Sequence, residues 1–468
     1  MERSNPRVLN NLTHILEGPG SRLINFVLLP LLVVTALLLP PVSLLDRITS
    51  SGYVRISPEA GAVLNPDGAQ VTFPAEVLTE GRTSALLEAV PREQFLAGDA
   101  GADLRAAAEA IPSTLVPKSP FYRIQIKGAH PLGSIVTIPI PTDAEPWEIL
   151  DLYEWDGARW RFVPSHIIYE DEVIEARLGY VPRSVMVMQS VVQPAAVAAD
   201  LEPGGAIPAG AIDALSTVYA AGLSLRGDGG FDGDPAALPK PEPNSTYAVV
   251  PTLRNWANDG SVRTDLFDNL LISPDLQLTQ ITVIEELAVA HLWPGVDIDY
   301  RGLDPNLADV YTQFIKDLAD RLHAQGKTLS VRVEPPQQIA ADRWDTGGYD
   351  WRALTQYADF LLVPAPVDPK AWAAGGQAEA LLAWAVGEAE RSKVQFVLPG
   401  RSVEQAGRYL LTKSYSEALA PLVGEISLAQ TTAAPGQRVQ AQLRRERQPS
   451  ALVLDETIGM QTYQYIDM

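Results

Sequence analysis

Apolar and polar positions change rhythm three times along this chain. From Leu23 to Leu45 there is no charge for 23 residues, long enough to cross a bilayer core of about 30 Å as a helix. Arg3, Arg7 and Arg22 precede the run, so the excess of basic residues on the cytoplasmic side predicts a cytoplasmic N-terminus over residues 1–22, a transmembrane anchor over 23–45 and an extracytoplasmic remainder. A cleaved signal peptide is the competing reading. It is opposed by the 22 residues ahead of the run and the lack of a small-x-small cleavage site after it, and favoured by Pro30, Pro40 and Pro41, which interrupt a regular helix; Arg47 just beyond the run narrows the charge asymmetry that sets the orientation.

From about residue 53 to 190 the period is two, in short runs separated by turn residues, which predicts an all-β sandwich. Candidate strands are Tyr53 to Ser57, Gln70 to Phe73, Ser84 to Val90, Phe121 to Ile126, Ser134 to Ile140, Leu150 to Trp155, Arg159 to Val163 and Ser184 to Gln189. Asp156-Gly157 between two of them reads as a tight hairpin turn. Trp155 and Trp160 flank it, as a cross-strand pair or, alternatively, a surface on which a sugar stacks. After a Pro-, Ala- and Gly-rich stretch from Pro194 to Gly210, residues 191–468 alternate between β-rich runs and helical patterns, which predicts parallel strands with helical crossovers. The clearest helix carries Leu307, Val310, Tyr311, Phe314, Leu318 and Leu322 at three- and four-residue spacing, with Gly326 at its end.

With 468 residues there is room for several domains. A net charge of −21 and an isoelectric point near 4.7 exclude nucleic acid as a natural partner, because phosphate binding needs a basic surface. No cysteine is present, and the five histidines show no metal-ligand spacing. Neither a cofactor nor a metal is expected. Asp228-Gly-Gly-Phe-Asp-Gly-Asp234 resembles a calcium loop but lacks its closing glutamate, so a turn is expected there.

The sharpest local signal is Trp293-Pro-Gly-Val-Asp-Ile-Asp-Tyr-Arg301, in which alternation sets Asp297, Asp299 and Arg301 on one face. It resembles the signature strand Asp-Gly-x-Asp-x-Asp-x-Glu of glycoside hydrolase family 18, the chitinases and spore-cortex lytic enzymes. Pro294 stands for the first Asp and Arg301 for the final Glu. Further stretches that look like the family's strands are Tyr219 to Phe231, Tyr247 to Trp256, Thr328 to Pro335, Ala358 to Pro364 and Val394 to Leu398, with a first strand near Val191 to Ala198. Val439 to Arg444 and Ala451 to Glu456 look like the hairpin that precedes the family's eighth strand. The resemblance implies a TIM-type β/α barrel over 191–468, incomplete at its C-terminal end. A weaker resemblance, of residues 53–190 to the ZU-type β-sandwich, implies an interaction or spacer module.

In the family, as the resemblance implies, the Glu is the general acid and the carboxylate two positions earlier, here Asp299, orients the substrate's acetamide. Arginine cannot donate that proton. The family's Met-x-Tyr-Asp at the end of strand six is replaced by Leu362-Val-Pro-Ala-Pro366. A membrane-anchored protein binding a chitin-like or peptidoglycan-like glycan without cutting it is therefore expected, with Asp297, Asp299, Arg301, Glu334, Trp256 and Trp293 as candidate ligand contacts. Trp351 and Trp372 are further aromatic candidates near strand ends. Two rivals stand beside this reading: an active glycosidase with Glu334 as a relocated acid, and an envelope scaffold whose barrel mouth is filled by its own side chains. Glu334 is expected to pair with Arg301, and a metal held by Asp297, Asp299 and Glu334 is opposed by that arginine.

Overall fold

Gly295-Val-Asp-Ile-Asp299 forms a strand buried on both faces along its whole length, the environment of a parallel strand covered by helices. The computed structural model describes residues 52–467 apart from 100, 243–244, 258, 424, 429–440 and 445–446. The predicted anchor from Leu23 to Leu45 lies outside them. Among the described residues no helix is long and apolar enough to cross a membrane.

Packing divides the described residues into two units, one within 52–108, 120–139 and 177–185, the other within 109–119, 140–176 and 186–467. In the first, Val54–Ile56, Thr83–Val90 and Phe121–Gly128 pair antiparallel, with Val54 opposite Ala85 and Val90 opposite Phe121. Ala62–Leu64, Gln70–Thr72 and Ser134–Pro139 form a second antiparallel set. The all-β expectation needs one correction here. Two short helices, Arg92–Leu96 and Ala102–Glu109, follow Val90. Phe95 of the first stacks on Phe121 with ring centroids 4.9 Å apart, so burying one aromatic pair fixes a helical turn where alternation gave no sign of one.

The second unit carries seven parallel strands: β1 (Ala198–Leu201), β2 (Thr217–Leu225), β3 (Ala248–Arg254), β4 (Gly295–Asp299), β5 (Thr328–Arg332), β6 (Phe360–Pro364) and β7 (Val394–Val397). They pair in sequence order, the pattern that βα repeats impose on a curling sheet. Among the described residues no eighth parallel strand joins β7 to β1. The first strand begins at Ala198 rather than ending there. A further correction concerns the C-terminal hairpin: Ala441–Arg444 pairs with Glu425–Leu428, and Val453–Asp455 pairs with Met460–Thr462, so the two predicted segments are not partners of each other.

Helices α1 (Thr264–Ile272), α2 (Pro274–Ala290), α3 (Ala308–Ala324), α4 (Trp351–Tyr357) and α5 (Gln377–Glu388) accompany the sheet. Ser273 starts α2 by accepting from the Leu276 amide at 3.4 Å, with Pro274 in the first turn. The stripe of α3 buries Tyr311, Phe314, Ile315, Leu318 and Leu322 in the main core beside Val296, Ile298 and Val331. Each such side chain stabilises the fold by about 1.5–3 kcal/mol when fully buried. Gly326 ends the helix in the left-handed region at φ 67°.

The same unit contains the hairpin Leu150–Trp155 and Trp160–Val163. Trp155 lies directly opposite Trp160, ring centroids 5.7 Å apart, as the cross-strand reading expects. The next strand, His166–Ile168, docks on the end of α5: the Ser165 amide donates to the Gly387 carbonyl at 3.0 Å, and His166 Nε2 shares a 2.8 Å hydrogen bond with Glu388 Oε1. Arg352 Nη2 holds the same oxygen at 2.8 Å. Burial works against the charge of Glu388, but His166 and Arg352 outweigh it and hold its carboxyl down to about 2.

Gly387 is the tightest point of this contact, since a Cβ there would run into the His166 ring and lie 2.8 Å from the Ser165 carbonyl oxygen. Gly387→Ala is expected to destabilise the protein by about 1–3 kcal/mol through overpacking, measured by denaturant unfolding. A loss below about 0.5 kcal/mol would mean that strand and helix separate freely.

Candidate functional site

Parallel pairing brings inward positions of neighbouring strands level with one another. Thr252 lies opposite Asp297 and Arg254 opposite Asp299, while Asp297 also lies opposite Ser330. With a period of two, Thr252 and Arg254 on β3, Asp297 and Asp299 on β4, and Ser330 and Arg332 on β5 therefore share the inward face. Two polar layers result, the upper one at the C-terminal ends of the strands, where β/α folds carry their sites.

In the lower layer Asp297 is fully buried. Its Oδ2 accepts from Thr252 Oγ1 at 2.8 Å and from Arg332 Nε at 2.7 Å, whereas Oδ1 has no hydrogen-bond partner. Burial pushes the Asp297 carboxyl up to about 6, against the pull of Arg332 and Thr252. Arg332 bridges outward to Asp200, with Nη1 to Oδ2 at 3.0 Å and Nη2 to Oδ1 at 2.5 Å. Burial opposes the charge on Arg332, but Asp297, Asp200 and Asp299 together raise its pKa above the ordinary arginine value.

In the upper layer Asp299, 3% exposed, is held by Arg301 through Nε at 3.0 Å and Nη2 at 3.1 Å. Arg254 Nε lies 3.8 Å from the same carboxylate, and its two terminal nitrogens grip Glu202 at 2.8 and 2.9 Å. The guanidinium carbons of Arg254 and Arg301 stand 4.2 and 3.7 Å from the Trp256 ring centroid. The indole thus has two guanidiniums within cation–π distance, held there beside Asp299. Asn255 locks the strand end by donating to the Arg301 carbonyl at 2.9 Å and accepting from the Arg301 amide at 2.8 Å.

The expected Arg301–Glu334 ion pair is not formed. Arg301 turns back along its own strand to Asp299, because Asp299 is buried and would otherwise face Arg254 only at 3.8 Å. Glu334 Oε2 instead accepts from the Gly302 amide at 3.0 Å, and the Tyr349 hydroxyl, which donates to the Tyr300 carbonyl at 2.7 Å, lies 3.3 Å from the same oxygen. Trp293 precedes β4 and so sits at the opposite end of the strand from Asp299, buried and stacked on His291. Trp351 is buried in α4, and Trp372 Nε1 donates to the Pro366 carbonyl. The loop at Asp228 is a turn in which its Oδ1 accepts from the Gly230 amide at 3.0 Å. Among the described residues no group of three or more His, Asp or Glu could hold a metal ion.

Sequence reasoning missed Asp200, Glu202, Arg254 and Arg332. The signal was present as Asp200-Leu-Glu202, Thr252-Leu-Arg254 and Ser330-Val-Arg332, polar residues two apart at the ends of apolar strands, the same rhythm that singled out β4.

No protein-family model matches the chain, and no curated protein matches it. Solved structures do show likeness. The spore cortex-lytic enzyme SleL of Bacillus megaterium QM B1551 matches at 17% identity and a TM-score of 0.40 over 51% of this chain, which spans 61% of the length of that enzyme. A chitinase from Chromobacterium violaceum matches at 20% identity and a TM-score of 0.38, covering 54% of this chain and 87% of its own. A Pseudomonas fluorescens class V chitinase matches at 22% and 0.36, covering 46% and 70%.

The network ranks its own members. Arg332→Ala strands a fully buried carboxylate and is expected to cost about 3–5 kcal/mol. Arg301→Ala is expected to cost about 1 kcal/mol, since the Arg301 side chain is 40% exposed and Arg254 still faces Asp299. Denaturant unfolding decides the order, and a costlier Arg301→Ala would reverse the account.

Asp297 carries a pH signature. A carboxyl whose pKa rises on folding holds its proton more tightly in the folded chain, so it favours folding at low pH and loses that contribution as pH climbs from about 4 through about 6. The stability of the unmodified protein minus that of Asp297→Asn should therefore increase as pH is lowered from about 7 to about 4.5. A difference that stays flat would place the Asp297 pKa near its ordinary value.

Proposed function

We propose that this chain is a non-hydrolytic glycan-binding protein of the cell envelope, a degenerate relative of family 18 glycosidases held at the membrane by residues 23–45, with a sandwich over 53–190 that spaces or recruits and a barrel over 191–468. The observation that carries the non-hydrolytic part is the pairing of both β4 aspartates with arginine, Asp297 with Arg332 and Asp299 with Arg301. A carboxylate that orients a reacting acetamide must be free to accept from it, and a general acid must hold a proton it can release. Asp299 is engaged, and residue 301 has no such proton.

The relocated-acid alternative fares worse. Glu334 already accepts from the Gly302 amide and lies against Tyr349, which holds it to the strand-end backbone. The scaffold alternative is favoured at the barrel mouth by the two guanidiniums held against Trp256 and the burial of both aspartates. Recognition of a sugar therefore belongs to other surfaces of the chain, and the barrel acts as a rigid support.

The full chain is expected to release no reducing ends from N-acetylglucosamine oligomers or peptidoglycan. Arg301→Glu should not restore hydrolysis, because Pro364 to Pro366 still replace the tyrosine-bearing strand end. Hydrolysis that disappears on Glu334→Gln would overturn this reading and make Glu334 the acid.

A further inference from the structure

A cavity of about 580 Å³ is lined by Glu145, Pro146, Trp147, Glu148 and Tyr169, none of them a residue of the strand-end network, a size that suits a small ligand or one unit of a polymer. Trp147 and Tyr169 stack at 6.1 Å with their planes 24° apart. A pair that only packs the module would bury its rings, as Phe95 and Phe121 do, yet Tyr169 remains 54% exposed. Such a platform presents flat π surface to a ligand that has one apolar face.

The charged side chains that line it are both acidic. Glu145 and Glu148 are both exposed, and among the described residues neither carboxylate has an ion-pair partner. The nearby Arg391 is engaged by the Glu148 backbone carbonyl, to which it donates at 2.7 Å, and by Asp151 at 3.4 Å. The Tyr169 hydroxyl is raised by burial and then by Glu148 and Glu379, which places two carboxylates within electrostatic reach of the platform. Aromatic faces beside uncompensated carboxylates select a cation.

We propose that this cleft binds a protonated amino sugar, its ring lying on Trp147 and Tyr169 and its ammonium between Glu145 and Glu148. Location and charge preference follow from the cleft itself. The sugar, as the carrier of the amine, rests on the glycan reading above. The cleft thus favours a glycan from which acetyl groups have been removed over a fully acetylated one, because an acetamide has no charge to offer the two glutamates.

Isothermal titration of the full chain with a glucosamine tetramer and with an N-acetylglucosamine tetramer tests this. The glucosamine oligomer should bind at least about ten-fold more tightly, and Trp147→Ala should weaken it by about ten-fold. Tyr169→Ser and Glu148→Gln, both at exposed positions, should each weaken it several-fold if Trp147→Ala fails to fold. Absence of saturable binding, equal affinity for the acetylated oligomer, or indifference to both exposed variants would overturn the proposal. Tetralysine binding more tightly than the glucosamine oligomer and displacing it would overturn the sugar assignment. The readout is independent of hydrolysis, so this site and the non-hydrolytic reading of the barrel stand or fall separately.

Discussion

Two aspartates on one buried strand set the terms for everything around them. An isolated carboxylate cannot remain charged in a protein interior without costing several kcal/mol, and β4 places Asp297 and Asp299 where neither reaches water. The chain meets this by lining the inward faces of adjacent strands with arginine: Arg332 from β5, Arg301 from the end of β4 and Arg254 from β3. Those arginines need outer counter-charges, which Asp200 and Glu202 supply from the end of β1. The first strand, otherwise a short four-residue element, is thereby tied across the interior to β3 and β5.

Much of the fold was legible because its main elements obey strict periods. Strands β2 to β7 stand out as apolar, β-rich runs, and α3 as a stripe at three- and four-residue spacing. What escaped was stabilised by tertiary contact rather than by pattern. The helix Arg92–Leu96 is five residues long and exists because Phe95 has Phe121 to stack upon. Strand β1 was displaced because Ala198-Ala-Asp-Leu201 is barely hydrophobic and pairs only once Thr217–Ala220 is beside it.

The site was half legible for a related reason. Alternation along one strand correctly joined Asp297, Asp299 and Arg301, since that is a local property. Which partner Arg301 takes is not local. Glu334 was the nearest acid by strand order, yet Asp299 is more deeply buried and gains more from a guanidinium, so the pairing runs within a strand end instead of between two. The same energetics bear on function. The arginines that neutralise the aspartates lie against both carboxylates, and the proposed lack of hydrolysis rests on that pairing.

The most direct test is a double-mutant cycle between Asp297 and Arg332, using Asp297→Asn and Arg332→Met with unfolding free energy as the readout. Residues that interact directly couple by about 0.5–3 kcal/mol, while independent sites add within about 0.3–0.5 kcal/mol. The account predicts a coupling energy of about 2 kcal/mol or more, because Arg332 Nε meets the fully buried Asp297 carboxylate directly at 2.7 Å. Additive effects would contradict it, leaving the inward carboxylates to be explained by some interaction other than the arginines that now face them.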